Sequence, residues 1–172
     1  MQIVAQAAIV IHIFATIALV GSLLFNTLVL MPALKRIPPA HSSVISAKIG
    51  AALMWVGLGS LILLGVSGFA FLWRYGVHWA LLTPAFWSTP YGWRLILMIV
   101  AWACLLGTGT LSAYWYRNVL TRKLPFTAGL RDLEERRAAQ ERISRIQDRL
   151  AVVNLTLGLV AVIGGALLRA LR

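Results

Sequence analysis

The chain has 172 residues, enough for one domain; 60% are hydrophobic, only 12% are charged, and the mean hydropathy is +0.83. Soluble domains carry roughly twice that share of charge, so this much apolar surface calls for lipid. The net charge of +11 then reads as membrane sidedness, not as a nucleic-acid footprint, and the single cysteine, Cys104, excludes an intrachain disulfide.

From Ile3 to Leu34 there is no Asp, Glu, Lys or Arg. A helix crosses the hydrocarbon in about 20 residues and satisfies its backbone internally, so a first span is predicted over 3–31. MQIVAQAA lacks a basic n-region and the apolar run outlasts a signal-peptide core, so the segment is read as retained. Pro32 is expected to stop or bend the helix. A basic loop follows, with Lys35, Arg36, Pro38, Pro39 and His41, and Ser42 or Ser43 is expected to cap a second span over 44–73. Gly50, Gly57 and Gly68 fall on nearly one face of it, a predicted packing seam.

The next loop, WRYGVHWALLTPAFWSTPYGW, crowds Trp73, Tyr75, Trp79, Trp87, Tyr91 and Trp93 together, as at a membrane interface. Thr83-Pro84 and Thr89-Pro90 read as cap-plus-N1 pairs. They predict a short interfacial helix around 84–88 and a third span starting near Pro90 and covering 91–117. Tyr114, Trp115 and Tyr116 form its far belt, with Arg117, Arg122 and Lys123 beyond. Residues 118–128, containing Pro125, form a connector.

The segment LRDLEERRAAQERISRIQDRL holds all five acids of the chain. Asp132 with Arg136 and Glu141 with Arg145 are favourable i,i+4 pairs. No Gly or Pro separates it from AVVNLTLGLVAVIGGALLRAL. One long helix over 129–170 is predicted, with an extension at 129–148 and a fourth span at 149–170. The fold class is therefore all-α: a membrane four-helix bundle, one domain over 1–172, whose long fourth helix extends into the cytoplasm. Three Lys or Arg lie on loop one and nine between spans three and four, against four on the opposite side. By the positive-inside rule both termini lie outside the cytoplasm.

Polar groups within the spans are few. His12, Thr16 and Asn26 lie within about 80° of one another on the first helix. Asn26 and Asn154 share a depth and are expected to bond as interhelical glue. At the outer depth of His12 the candidates are Met98 and, nearer the midplane, Cys104, read as a buried thiol. His78 is a second imidazole on the same side. An ionisable group within a span is a functional-site candidate. Histidine and methionine together suit copper, above all Cu(I), and also serve as axial haem ligands. His12 and Met98 are thus candidate metal ligands, and His12, Met98 and His78 candidate cofactor ligands for copper or haem b. A hydrogen-bonded structural histidine is the competing reading. The chain has no G-x-x-x-x-G-K-[ST] motif, no H-E-x-x-H motif, no C-x-x-C pair and no carboxylate within the spans. Hydrolytic sites lack their parts, so enzymatic activity is the less favoured reading.

Several short motifs together resemble a family. They are His12 followed by Gly21-Ser22, the exit VLMPALKR, the GVSG of Gly65 to Gly68, and TPYGWRLIL from Thr89 to Leu97. The pattern resembles the copper-resistance D (CopD) domain of bacterial inner-membrane proteins, itself related to HemJ-type protoporphyrinogen oxidase. The likeness spans residues 8 to about 120. Leu19 stands where the family carries a Trp, and Met98 where it carries a Lys; the second departure counts against HemJ-type porphyrin oxidation. The resemblance implies a multi-pass protein of the bacterial inner membrane with a helix-one histidine. Three functions follow: a metal or haem site in the outer half for copper handling or electron transfer; a small accessory subunit docking on a larger membrane complex or on its own copies; and, third, porphyrin oxidation.

Overall fold

The computed structural model describes residues 2–115 and 130–169. The connector expected at 118–128 lies outside the described residues, as do Tyr116, Arg117 and the side chains of Asp132 and Arg136. No strand occurs among the described residues, and four helices are long and apolar enough to cross a membrane, with apolar stretches at Gln6–Leu34, Lys48–Arg74, Pro90–Tyr114 and Arg145–Leu167. The all-α, four-helix membrane architecture follows from them.

Helix α1 (Gln2–Leu24) runs through a π-helical turn (Phe25–Leu30) into α2 (Met31–Leu34), so the first span continues through Pro32. Proline has no N–H and its ring presses on the carbonyl four residues back. The wider turn, closed by the Met31 N–H on the Asn26 carbonyl, absorbs that defect without ending the rod.

Helix α3 (Pro39–Arg74) begins five residues before the expected Val44. Pro38 is extended (φ −54°, ψ 141°) and Pro39 is the first helical residue, where its missing N–H costs nothing. Ser42 and Ser43 therefore lie inside the first turns and do not precede the helix. At the other end the Tyr75 N–H reaches the Phe71 carbonyl at 3.0 Å and the Gly76 N–H reaches that of Trp73 at 3.2 Å. Gly76 supplies the left-handed φ of 68° that closes the helix.

Two single-turn helices, α4 (Val77–Ala80) and α5 (Pro84–Trp87), cross the aromatic end. Helix α6 (Pro90–Trp115) follows, with the Gly92 N–H bonded to Thr89 Oγ1 at 3.0 Å, so Thr89 is a true N-cap. A Cβ at Gly92 would overlap the Phe86 carbonyl, which is how closely α5 folds onto α6. Helix α7 (Leu130–Arg169) is the long last helix, unbroken for 40 residues, or about 60 Å. About 15 residues of it precede its apolar stretch. Glu141 and Arg145 form their ion pair there at 3.7 Å.

Helix α1 packs on α3, α3 on α6, α6 on α7, and α7 back on α1, so α1 and α6 face each other diagonally. Leu19, Leu61 and Leu105 meet at the centre, packed by Leu23, Leu64, Trp102, Leu106 and Leu157. Phe14, Ile17, Val66 and Phe69 are exposed on the outside, where lipid covers them. Cys104, expected to be buried, is exposed on that outer surface too.

Without a hydrophobic drive between helices in lipid, close packing and a few polar bonds decide the interfaces. At Gly50 and Gly57 an added Cβ would meet nothing within 4 Å, so they do not form the expected seam; Gly65 does, where a Cβ would come within 2.7 Å of Trp102. Asn154 does not turn to Asn26: the Thr108 hydroxyl donates to Asn154 Oδ1 at 2.7 Å, joining α6 to α7. Arg94 donates to the Leu167 carbonyl at 3.1 Å, a cation on the last carbonyls of α7.

Candidate cofactor-binding site at the aromatic end

His12, Ser67 and Met98 lie at similar depth. Counted from the nearer ends of their apolar stretches, each is about 9–12 Å below the aromatic end. His12 is half-buried on α1 and Ser67 is buried on α3. His12 Nδ1 is 2.7 Å from Ser67 Oγ. Ser67 Oγ is also 2.6 Å from the Leu63 carbonyl one turn back. Two oxygens that close need a proton between them, so the serine donates to Leu63. The bond to His12 must then run the other way, with Nδ1–H donating to the hydroxyl oxygen. This assigns the tautomer: Nε2 carries the lone pair.

The ring is held on two further sides. Phe71 meets it edge-on at 5.4 Å between centroids. Gly68 lies beside Cε1, where a Cβ would sit 3.9 Å away. Ser67 and Gly68 belong to the GVSG stretch, so the motif near the end of α3 is the seat of the α1 imidazole. Thr16, expected on the same face as His12, spends its hydroxyl on the His12 carbonyl at 2.8 Å.

Met98 sits on α6, diagonally opposite. Its side chain fills the notch left by Gly164 and Gly165 on α7, with Cγ 3.4 Å and Cε 3.5 Å from the positions their Cβ atoms would take. His78 lies outside the spans, in α4. It stacks on Trp73 at 4.6 Å and 11°, tilts against Trp79 at 5.1 Å, and its Nδ1 is 3.4 Å from the Leu72 carbonyl. Among the described residues neither Met98 nor His78 is a hydrogen-bond or ring partner of His12. The three candidates share one end of the bundle, each against its own neighbours.

Ser67, Phe71 and Trp102 were missed by sequence reasoning. For Ser67 the signal was present, as the one hydroxyl inside GVSG. A tryptophan in mid-span likewise signals that its N–H needs an acceptor; Trp102 Nε1 finds the Leu61 carbonyl at 2.8 Å.

Among the described residues no three His, Cys, Asp or Glu gather to hold a metal. That donor set does not suit zinc or a hard cation, which need several protein ligands. An imidazole with an available Nε2, plus a thioether on the diagonal helix, suits a group needing only one or two protein ligands: haem, which brings four ring nitrogens, or a soft monovalent ion. No protein-family model, curated protein or solved structure shows a significant match to the chain.

Proposed function

We propose that this chain is a bacterial inner-membrane protein whose His12 is a ligand of haem b or copper in the outer half of the bundle, in electron transfer or copper handling. The observation that carries the reading is the bond from His12 Nδ1–H to Ser67, which orients the ring and leaves Nε2 as the donor atom. Ligating histidines are held in this way by a hydrogen bond from the other nitrogen. His12 would hold the group through Nε2, and Met98 would join it as a second ligand only by leaving the notch at Gly164 and Gly165. Haem b would supply one-electron redox chemistry; copper would be redox ion or cargo. The short motifs resembling the copper-resistance D domain support the same reading. So does the positive-inside rule, which puts Lys35 and the first half of α7 in the cytoplasm and the aromatic end with His12 outside.

The test is the visible spectrum and metal content of the chain purified from membranes. A Soret band marks haem, and stoichiometric copper without colour marks Cu(I). The absence of both overturns the reading. The accessory-subunit function would then take its place, supported by the charged first half of α7, which extends past the apolar stretch.

A further inference from the structure

At the opposite end of the bundle, α2 and α7 flank an open recess of about 680 Å³. One part of its wall is apolar, formed by Met31, Pro32 and Val152, and the other is charged, formed by Lys35, Asp148 and Arg149. Thr27, whose hydroxyl has no hydrogen-bond partner among the described residues, lies at its foot. Lys35 and Asp148 pair at 3.3 Å, so the one acid in the wall is already matched. Arg149 has no carboxylate partner among the described residues. It also borders a second, smaller hollow of about 470 Å³ with Arg142, Arg145 and Ile146. These four positions recur at three- and four-residue spacing, one face of α7. A strip of arginines thus leads down the helix into the recess.

The depth of this strip matters. Lys35 directly follows the apolar stretch Gln6–Leu34, and Arg149 lies about one turn inside Arg145–Leu167. The charged wall is therefore at the level where hydrocarbon meets headgroups, and the apolar wall is on its hydrocarbon side. Long basic side chains at span ends reach toward that boundary. A dissolved anion would use only half of such a recess, whereas an anionic phospholipid has both halves in the matching order.

We infer that the recess between α2 and α7 binds an anionic phospholipid of the adjoining leaflet, its phosphate on Arg149, beside the Lys35–Asp148 pair, and its acyl chain along Met31, Pro32 and Val152. Arg142 extends the positive field along the headgroup layer, whereas Arg145 is paired with Glu141.

The full chain, solubilised in a neutral detergent, is titrated with phosphatidylglycerol, with phosphatidylcholine and with inorganic phosphate, and bound lipid is counted by native mass spectrometry. Phosphatidylglycerol is expected to be retained at least about tenfold more tightly than phosphatidylcholine, and each arginine removed near the surface is worth about fivefold. Arg149→Gln should weaken retention by about fivefold, and Arg142→Gln with Arg149→Gln by about twenty-fivefold. Arg149→Lys should keep the preference, separating lost charge from lost fold, and Arg74→Gln at the other end should change nothing. Equal retention of the two lipids would overturn the inference, as would a double glutamine variant that binds phosphatidylglycerol like the parent. Inorganic phosphate binding as tightly as the lipid would mark a site for a dissolved anion and overturn it as well.

Discussion

The Trp102 indole occupies the space a side chain would take at Gly65, and its Nε1–H donates to the Leu61 carbonyl at 2.8 Å. Shape and hydrogen bond lock α6 onto α3 at one point. A methyl at Gly65 would fall 2.7 Å from Trp102 Cζ2, on a rigid ring that cannot yield without leaving its acceptor. Gly65→Ala should therefore destabilise the bundle by about 1–3 kcal/mol, the usual cost of overpacking. Gly57→Ala, with nothing within 4 Å, should leave the melting temperature in detergent within error of the parent. Equal melting of the Gly65 variant would mean that α3 and α6 part easily here.

The second polar lock is Thr108 on Asn154, at 2.7 Å between α6 and α7. Interhelical bonds of this kind average about 0.6 kcal/mol, because partners are also found in the unfolded membrane state. Thr108→Val and Asn154→Leu, combined in a double-mutant cycle, should show a coupling of about that size. A coupling indistinguishable from zero would show that the two side chains act independently.

These locks mark where sequence reasoning stops. The four spans, the Thr89 cap, the Pro84 turn and the unbroken last helix were legible because each is a local matter of charge-free length, proline position or an uninterrupted helix-forming run. Which face of a span meets which neighbour was not. In a soluble helix the apolar face points inward, but Phe14 faces lipid and Leu19 faces the core, and both are apolar. Face choice then rests on shape, and Gly57 and Gly65 look alike until Trp102 is placed. The same holds at the site. His12 stood out as an imidazole within a span, but only the packing of α1 against α3 identifies its partner as Ser67.

Sidedness has its own test. In a Cys104→Ser background, single cysteines at positions 41, 78 and 140 report on the start of α3, on the aromatic end and on the first half of α7. A membrane-impermeant maleimide applied to spheroplasts should label position 78, and positions 41 and 140 only after lysis. Labelling of 41 and 140 in intact spheroplasts would invert the topology, placing the arginine strip outside and the histidine inside.

The His12–Ser67 pair yields the most direct prediction. If Nε2 holds a cofactor, His12→Ala should abolish its binding while the protein still inserts, because the first span remains free of charge from Ile3 to Leu34. Ser67→Ala keeps the imidazole but removes the oxygen that accepts its Nδ1–H. The ring can then rotate or change tautomer, and affinity should fall about 10–100-fold, the usual effect of losing such a partner. Ser67→Thr keeps a hydroxyl and should restore most of it. That rescue separates orientation of the ligand from mere packing at α3, which an added methyl would not repair. Met98→Leu, at nearly constant volume, should weaken binding or shift the spectrum if the thioether is the second ligand; His78 is the next candidate, and His78→Ala the corresponding test. Cofactor content and absorbance spectrum, measured per mole of purified chain, decide among these. A His12→Ala protein with its full complement of haem or copper would end the assignment. A Ser67→Ala protein that binds like the parent would reduce the bond between α1 and α3 to structural glue.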